Sequence, residues 1–183
     1  MKTIPFFCFL SISVFASFVA TAQSELSTDE TTIHQIVQNM QDGWNNKSGE
    51  QFAAHFSNDH SYVVWNGMYM PHVDRSSNAQ VHQSLFDGPY RSSFIIIKVD
   101  NLRFIHPDVA MVHTLINSRE GDSAAPLYPE LVATILMVKN GNEWEIVSFH
   151  NLNIEYDQLL RKPEPTDEEK LALAKENYPG WYR

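Results

Sequence analysis

Helices gathered ahead of a run of strands predict an α+β domain: a cone-shaped α+β barrel with N-terminal helices packed on a strongly curved antiparallel sheet. Three observations carry this. Ile33, Ile36, Val37, Met40 and Trp44 recur at helical spacing, so one face of a first helix is core. From Phe94 onward the chain turns to strand formers. Asn140-Gly141 lies between two such runs and is the strongest short hairpin signal, because a two-residue type I′ turn needs φ > 0 at both central positions.

The elements follow in order. Ser27 and Glu30 form a capping-box start for the first helix, and Asn45-Asn46-Lys47 ends it after Gly43 weakens its last turn. Ser48 and Gln51 open a second, shorter helix with Phe52 and Phe56 one turn apart. Tyr62 to Trp65 reads as a strand, and Asn66 to Ser77 as a long loop of the kind that often carries function. A third helix starts at Ser77 and stops at Gly88-Pro89, carrying Ala79, His82 and Phe86 on one side. Phe94 to Ile105 is a strand bent near Asp100-Asn101, His106-Pro107-Asp108 is a turn, and Val109 to Asn117 is the next strand. A polar loop from Arg119 to Pro126 leads to Leu131–Val138 and the terminal hairpin. Beyond Asn153 the composition changes. A proline-broken linker, a helix capped by Thr166 and Glu169, and the aromatics Tyr178, Trp181 and Tyr182 make a tail expected to dock on the domain or on a neighbouring subunit.

Residues 1–22 read as a cleaved signal peptide: Lys2, an apolar stretch from Ile4 to Val19, then the small-x-small site Ala20-Thr21-Ala22. The protein is therefore expected to be secreted or periplasmic, and not in a membrane. Residues 23–154 form one domain and residues 155–183 a C-terminal extension. Cys8 falls within the signal, so the mature fold holds without disulfides. Taking Lys2 from the 13 basic residues leaves 12 scattered ones against 22 acidic ones, which argues against nucleic acid as a partner.

Three stretches then act together. The first is His82-Gln83-Ser84-Leu85-Phe86-Asp87-Gly88, followed by Ser93; the second is His106-Pro107-Asp108-Val109-Ala110-Met111-Val112-His113. The third is Gly141-x-x-Trp144-x-Ile146-x-x-Phe149-His150-Asn151. Over about residues 29 to 152 they resemble the SnoaL-like group of the nuclear transport factor 2-like superfamily, in particular its small SgcJ/EcaC-type proteins. The chain has Asp74-Arg75-Ser76-Ser77 where that pattern often has a Gly-Arg pair, and Leu152 where Thr is common. The tail from Glu155 has no counterpart there. The resemblance implies a cone with an internal pocket, often dimerised. Its superfamily hosts isomerases, cyclases, dehydratases, hydrolases and plain binding modules, and fold alone does not choose among them.

His82 shares a helical face with Ala79 and Phe86, His150 shares strand parity with Trp144 and Ile146, and His113 with Met111 and Leu115. If those faces turn inward, three imidazoles meet one cavity, with His82 and His150 as candidate catalytic residues. Asn151, His113, Tyr62, Trp65, Asp59 and Tyr69 are candidate ligand contacts, Tyr69 with Met68 and Met70 as a lid. The competing reading has the histidines merely satisfying one another, Asn151, Tyr62 or the backbone. No His-x-x-x-His or His-Glu-x-x-His spacing and no dinucleotide fingerprint occurs, so neither metal nor cofactor is expected. The expectation is an exported pocket protein that binds a small apolar molecule, or performs cofactor-independent proton-transfer or hydrolytic chemistry on it, and forms a homodimer. The alternative is a non-catalytic dimerisation or accessory module whose cavity is filled. An oxidoreductase, which the group's customary label suggests, finds no motif in the chain.

Overall fold

A computed structural model describes residues 11–121 and 126–183, with side chains from Thr28 onward. Of the expected signal peptide, the first ten residues and the side chains of the rest lie outside the described residues, as does the middle of the expected polar loop after Arg119. The first helix, α1, runs from Ser11 to Asn45. It does not start at Ser27: no glycine or proline interrupts the chain between Ser11 and Asp42, so nothing ends the helix upstream of the expected cap.

α2 (Gly49–Ala53) is capped by the Ser48 hydroxyl, which accepts from the Gln51 N–H. It is one turn shorter than expected, because Phe56 begins strand β1 (Phe56–Val63). The segment expected to be a long loop is instead a hairpin. Gly67 turns with φ 86°, Val64 N–H donates to the Met68 carbonyl, and β2 (Tyr69–Val73) pairs antiparallel to β1. Pro71 hid this strand; it is tolerated because β2 is an edge. Asp74, not Ser77, caps α3 (Arg75–Asp87), its carboxylate accepting from the Ser77 N–H.

Strands β3 (Ser93–His106), β4 (Val109–Glu120), β5 (Leu131–Asn140) and β6 (Glu143–Asn153) then succeed one another antiparallel. The sheet order is β2-β1-β6-β5-β4-β3, with β1 parallel to β6. The β5–β6 loop is Gly141-Asn142, since Asn140 pairs with Glu143. Among the described residues only Gly141 there has positive φ (66°), so the turn is of the II′ kind, with glycine first, rather than I′.

One irregularity decides which side chains face inward. Met137 pairs with Ile146 but Leu136 with Ser148, so Val147 is an extra residue, a bulge in β6. Side-chain parity reverses across it. Trp144 and Ile146 face α1, and beyond the bulge so do Phe149 and Asn151, while His150 faces away. Both His150 and His113 pair with Thr134, so the two histidines flank it on the outer face. The expected inward direction of both histidines is thus corrected: His150 is turned outward by the bulge, and His113 because β4 buries Ala110, Val112 and Thr114 inside and leaves Met111 and His113 on the opposite face.

Inside the curve, Ile33, Ile36, Val37 and Met40 of α1 are buried against Ala110, Val112, Ile135 and Ile146. Asp29 anchors that end of the helix, accepting from Trp144 Nε1 at 3.0 Å and pairing with Lys139 Nζ at 2.9 Å. The C-terminal extension holds α4 (Tyr156–Leu160), α5 (Asp167–Asn177) and a 3-10 turn (Pro179–Tyr182). It docks on its own domain. Lys98 Nζ donates to the Trp181 carbonyl, Tyr156 OH to the Pro129 carbonyl and Tyr128 OH to Asp167, while Ile154, Tyr156 and Ala174 form a small second core.

Gly43 and Gly49 let the helices touch. A Cβ on Gly43 would lie 2.3 Å from the Phe52 nitrogen, and one on Gly49 2.1 Å from the Ala79 carbonyl oxygen. Gly43→Ala should therefore destabilise by about 2 kcal/mol net, since overpacking against backbone outweighs the roughly 1 kcal/mol gained in helix propensity. Thermal unfolding should read this as a midpoint about 4–8 °C lower; an unchanged or higher midpoint would refute the close approach.

Candidate ligand cavity

The open end of the cone encloses a cavity of about 640 Å³. Met40 and Trp44 of α1 and Phe52 of α2 form one side; Ile95, Ile97, Ile116 and Phe149 of the sheet form the other. The indole of Trp44 is fixed by Nε1–H donating to Ser93 Oγ at 3.2 Å and by edge contact with Phe86, ring centroids 5.2 Å apart. The wall is thus rigid, aromatic and apolar.

Two polar atoms in this wall lack protein partners among the described residues. Asn151 Oδ1 is buried and accepts no hydrogen bond. Tyr62, 8% exposed, lies in the wall between Phe56 and Phe149, and its hydroxyl makes no hydrogen bond. Burial pushes the Tyr62 phenol well above the usual tyrosine range, so it stays protonated and can donate or accept. Asn151 reaches the wall only because Val147 reversed the parity of β6.

His82 lies behind this wall, not in it. Its ring stacks on Phe52 with centroids 4.0 Å apart and stands 6.0 Å from that of Tyr62. Nδ1–H donates to the Asn78 carbonyl at 3.0 Å. The Asn78 amide donates to His60 Nε2 at 3.0 Å, and His60 Nδ1–H donates to the Ser57 carbonyl at 2.8 Å. Both imidazoles therefore carry a proton on Nδ1, held by carbonyls that can only accept; His60 is neutral because its Nε2 accepts from Asn78, and His82 because burial disfavours its charged form. Burial pulls His82 down to about 4 and lowers His60 as well.

The sequence-proposed residues divide cleanly. Tyr62 and Asn151 are in the wall and Trp65 is at the rim, 48% exposed. Asp59 instead bonds His72 Nδ1 at 2.9 Å on the open surface, and Tyr69 is 63% exposed on the edge strand, so neither borders the cavity. His113 and His150 sit on the opposite face of the sheet. Sequence reasoning missed the rest of the rim: Tyr90, Tyr128 and Glu130, and from the extension Tyr156, Asp157, Glu164 and Lys170. Tyr128-Pro129-Glu130, an aromatic and an acid pinned by proline just before a strand, was the available signal. Among the described residues no cluster of three or more His, Cys, Asp or Glu could hold a metal ion, and no helix is long and apolar enough to cross a membrane.

The chain matches no protein-family model and no curated protein. Solved structures do resemble it. A domain of unknown function with a cystatin-like fold from Nostoc punctiforme is 24% identical, with TM-score 0.64, covering 80% of this chain and 83% of its own. An NTF-2-like protein of unknown function from Shewanella oneidensis is 15% identical, with TM-score 0.55, covering 68% and 98%. A ketosteroid isomerase-like protein from Erwinia carotovora is 13% identical, with TM-score 0.52, covering 68% and 95%. The fold is the nuclear transport factor 2-like, or cystatin-like, cone that the sequence motifs resemble. At these identities the likeness shows the fold alone.

The buried imidazole makes stability depend on pH. The unfolded chain takes up the His82 proton near pH 6.5, the folded chain only near 4. Its contribution is complete above pH 6.5 and is lost as pH falls through that window, by about 3 kcal/mol in all. Denaturant unfolding at stepped pH should show this decline, and His82→Phe should flatten it even if absolute stability drops. An equally steep decline in His82→Phe would refute the assignment.

Proposed function

We propose that the protein is a small-molecule pocket protein whose cone takes a largely apolar, ring-bearing molecule. The observation that carries this is the empty volume of about 640 Å³, walled by aromatic and aliphatic side chains and holding two unpartnered polar atoms, Asn151 Oδ1 and the Tyr62 hydroxyl. Ligand sites commonly combine such walls with a few placed polar groups. The open cavity favours binding over the accessory-module reading, which needs an interior filled by its own side chains. A buried acceptor without a partner costs about 1–3 kcal/mol, and a ligand donor would recover that cost.

Proton-transfer chemistry is the second reading. It rests on the neutral His82, whose Nε2 makes no hydrogen bond among the described residues, behind Phe52 and beside Tyr62. His150 has no part in it, since it lies on the other face of the sheet. The signature of this chemistry would be exchange of a carbon-bound proton of a bound ketone with solvent deuterium, lost in His82→Gln.

The outer face supports self-association. Met111, Val132, Leu136 and Val138 are only half-buried there, and Leu152 is 49% exposed. We propose a homodimer through this face. Sedimentation velocity should give a dimer that Leu136→Glu converts to a monomer; a monomeric native protein would sink the proposal.

Binding is tested by thermal-shift titration with bicyclic aromatic compounds. They should raise the midpoint of the native protein. Ile116→Trp, which puts an indole into the cavity, should abolish the effect, and Asn151→Leu should weaken donor-bearing compounds about 10-fold. Shifts that persist in Ile116→Trp would place binding elsewhere and defeat the reading.

A further inference from the structure

The rim of the cavity differs sharply from its wall. Glu130, Glu155, Asp157 and Glu164 all border the opening, and among the described residues none of the four has an ion-pair partner. Lys170 is the one basic residue there, and its nearest anion is Asp167, 3.8 Å away. The rim is thus net negative, at the mouth of a low-dielectric cone that focuses its field.

The same rim presents aromatic faces. Tyr128 and Tyr156 stand edge to face, ring centroids 5.2 Å apart, each held by its hydroxyl: Tyr128 on Asp167 and Tyr156 on the Pro129 carbonyl. The Lys170 ammonium already sits 5.6 Å from the centre of the Tyr128 ring. The chain's own lysine therefore shows that the Tyr128 face takes an organic ammonium. Deeper in, the free polar atoms are an amide oxygen and a phenol, and among the described residues no cationic side chain lines the wall.

We propose that the ligand is an organic cation: an ammonium or amidinium group on an apolar ring-sized body, the body in the cone and the cation at the rim among Glu130, Asp157, Glu164 and the faces of Tyr128 and Tyr156. This rests on the pocket reading above and names the ligand class for it. The acidic rim alone would be a solvated surface. What makes it a site is the cavity beneath it, with Tyr62 buried in the wall and its hydroxyl unpartnered. Glu130 fits the role. Partial burial raises its carboxyl above the usual range against the pull of Lys170, and a bound cation would offset that penalty.

The test titrates the full chain calorimetrically with three probes sharing one ring system: naphthylmethylammonium, naphthylmethanol and naphthoate. The ammonium should bind about 10-fold tighter than the alcohol, and the carboxylate more weakly than either. The preference should vanish in the surface variant Glu130→Gln/Asp157→Asn/Glu164→Gln, with alcohol binding retained, and should shrink in high salt. Equal binding of all three probes, or tightest binding of naphthoate, overturns the cation inference while leaving the pocket reading standing. Binding by none of them overturns both.

Discussion

The molecule depends on how α1 is held away from the sheet it fills. At its C-terminal end Asn45 exchanges two hydrogen bonds with the Ile95 backbone, at 3.0 and 2.8 Å, and Gln41 accepts from the Ile97 N–H at 2.7 Å. These side chains complete the free edge of β3, which would otherwise offer bare N–H groups to another strand. At the other end Asp29 holds the helix to Lys139 and Trp144. Pinned at two ends of a curved sheet, the helix cannot sink into the curve. The cavity is the volume that remains, and its walls are stiff for the same reason.

Polar groups are treated differently on the two sides of the Phe52–Tyr62 wall. Behind it, Asn78 bonds His60, and each imidazole is held at Nδ1 by a backbone carbonyl, so the buried histidines become a neutral, fixed packing unit. In front of it, Asn151 Oδ1 is left without a donor. The Asn78–His60 bond ties α3 to β1 and His82 bonds back to its own helix, whereas the unpartnered atoms that line the cavity belong to an asparagine and a tyrosine.

Much of the fold was legible because it is written in local patterns. The α1 stripe from Ile33 to Met40, the Ser48 and Thr166 caps and the bend at Asp100-Asn101 all appear as read. Of the residues proposed as ligand contacts, Tyr62 and Asn151 lie in the cavity wall and Trp65 at its rim. Three features were not legible, each for a physical reason. Val147 is as acceptable on one face as the other, so no residue type announces the bulge. Pro71 speaks against a strand, and only the edge position of β2 excuses it. The rim is assembled by Glu130, Asp157, Glu164 and Lys170, which become neighbours only once the extension folds back.

The bulge at Val147 also bears on how such proteins change. Met137 and Leu136 are consecutive on β5, and their partners Ile146 and Ser148 are separated only by Val147. Losing Val147 would therefore leave Ser148 on Leu136, Phe149 on Ile135 and Asn151 on Ala133, in plain alternation and on their present faces. The bulge is thus slack in the strand: one residue can be removed there while Phe149 and Asn151 still face the cavity. Removing a residue from the regularly paired stretch before it has no such slack, and is absorbed only by using up the bulge. The faces of β6 are set by its partners on β5, and the bulge is the place where a change of length can be taken up without turning cavity wall into outer surface.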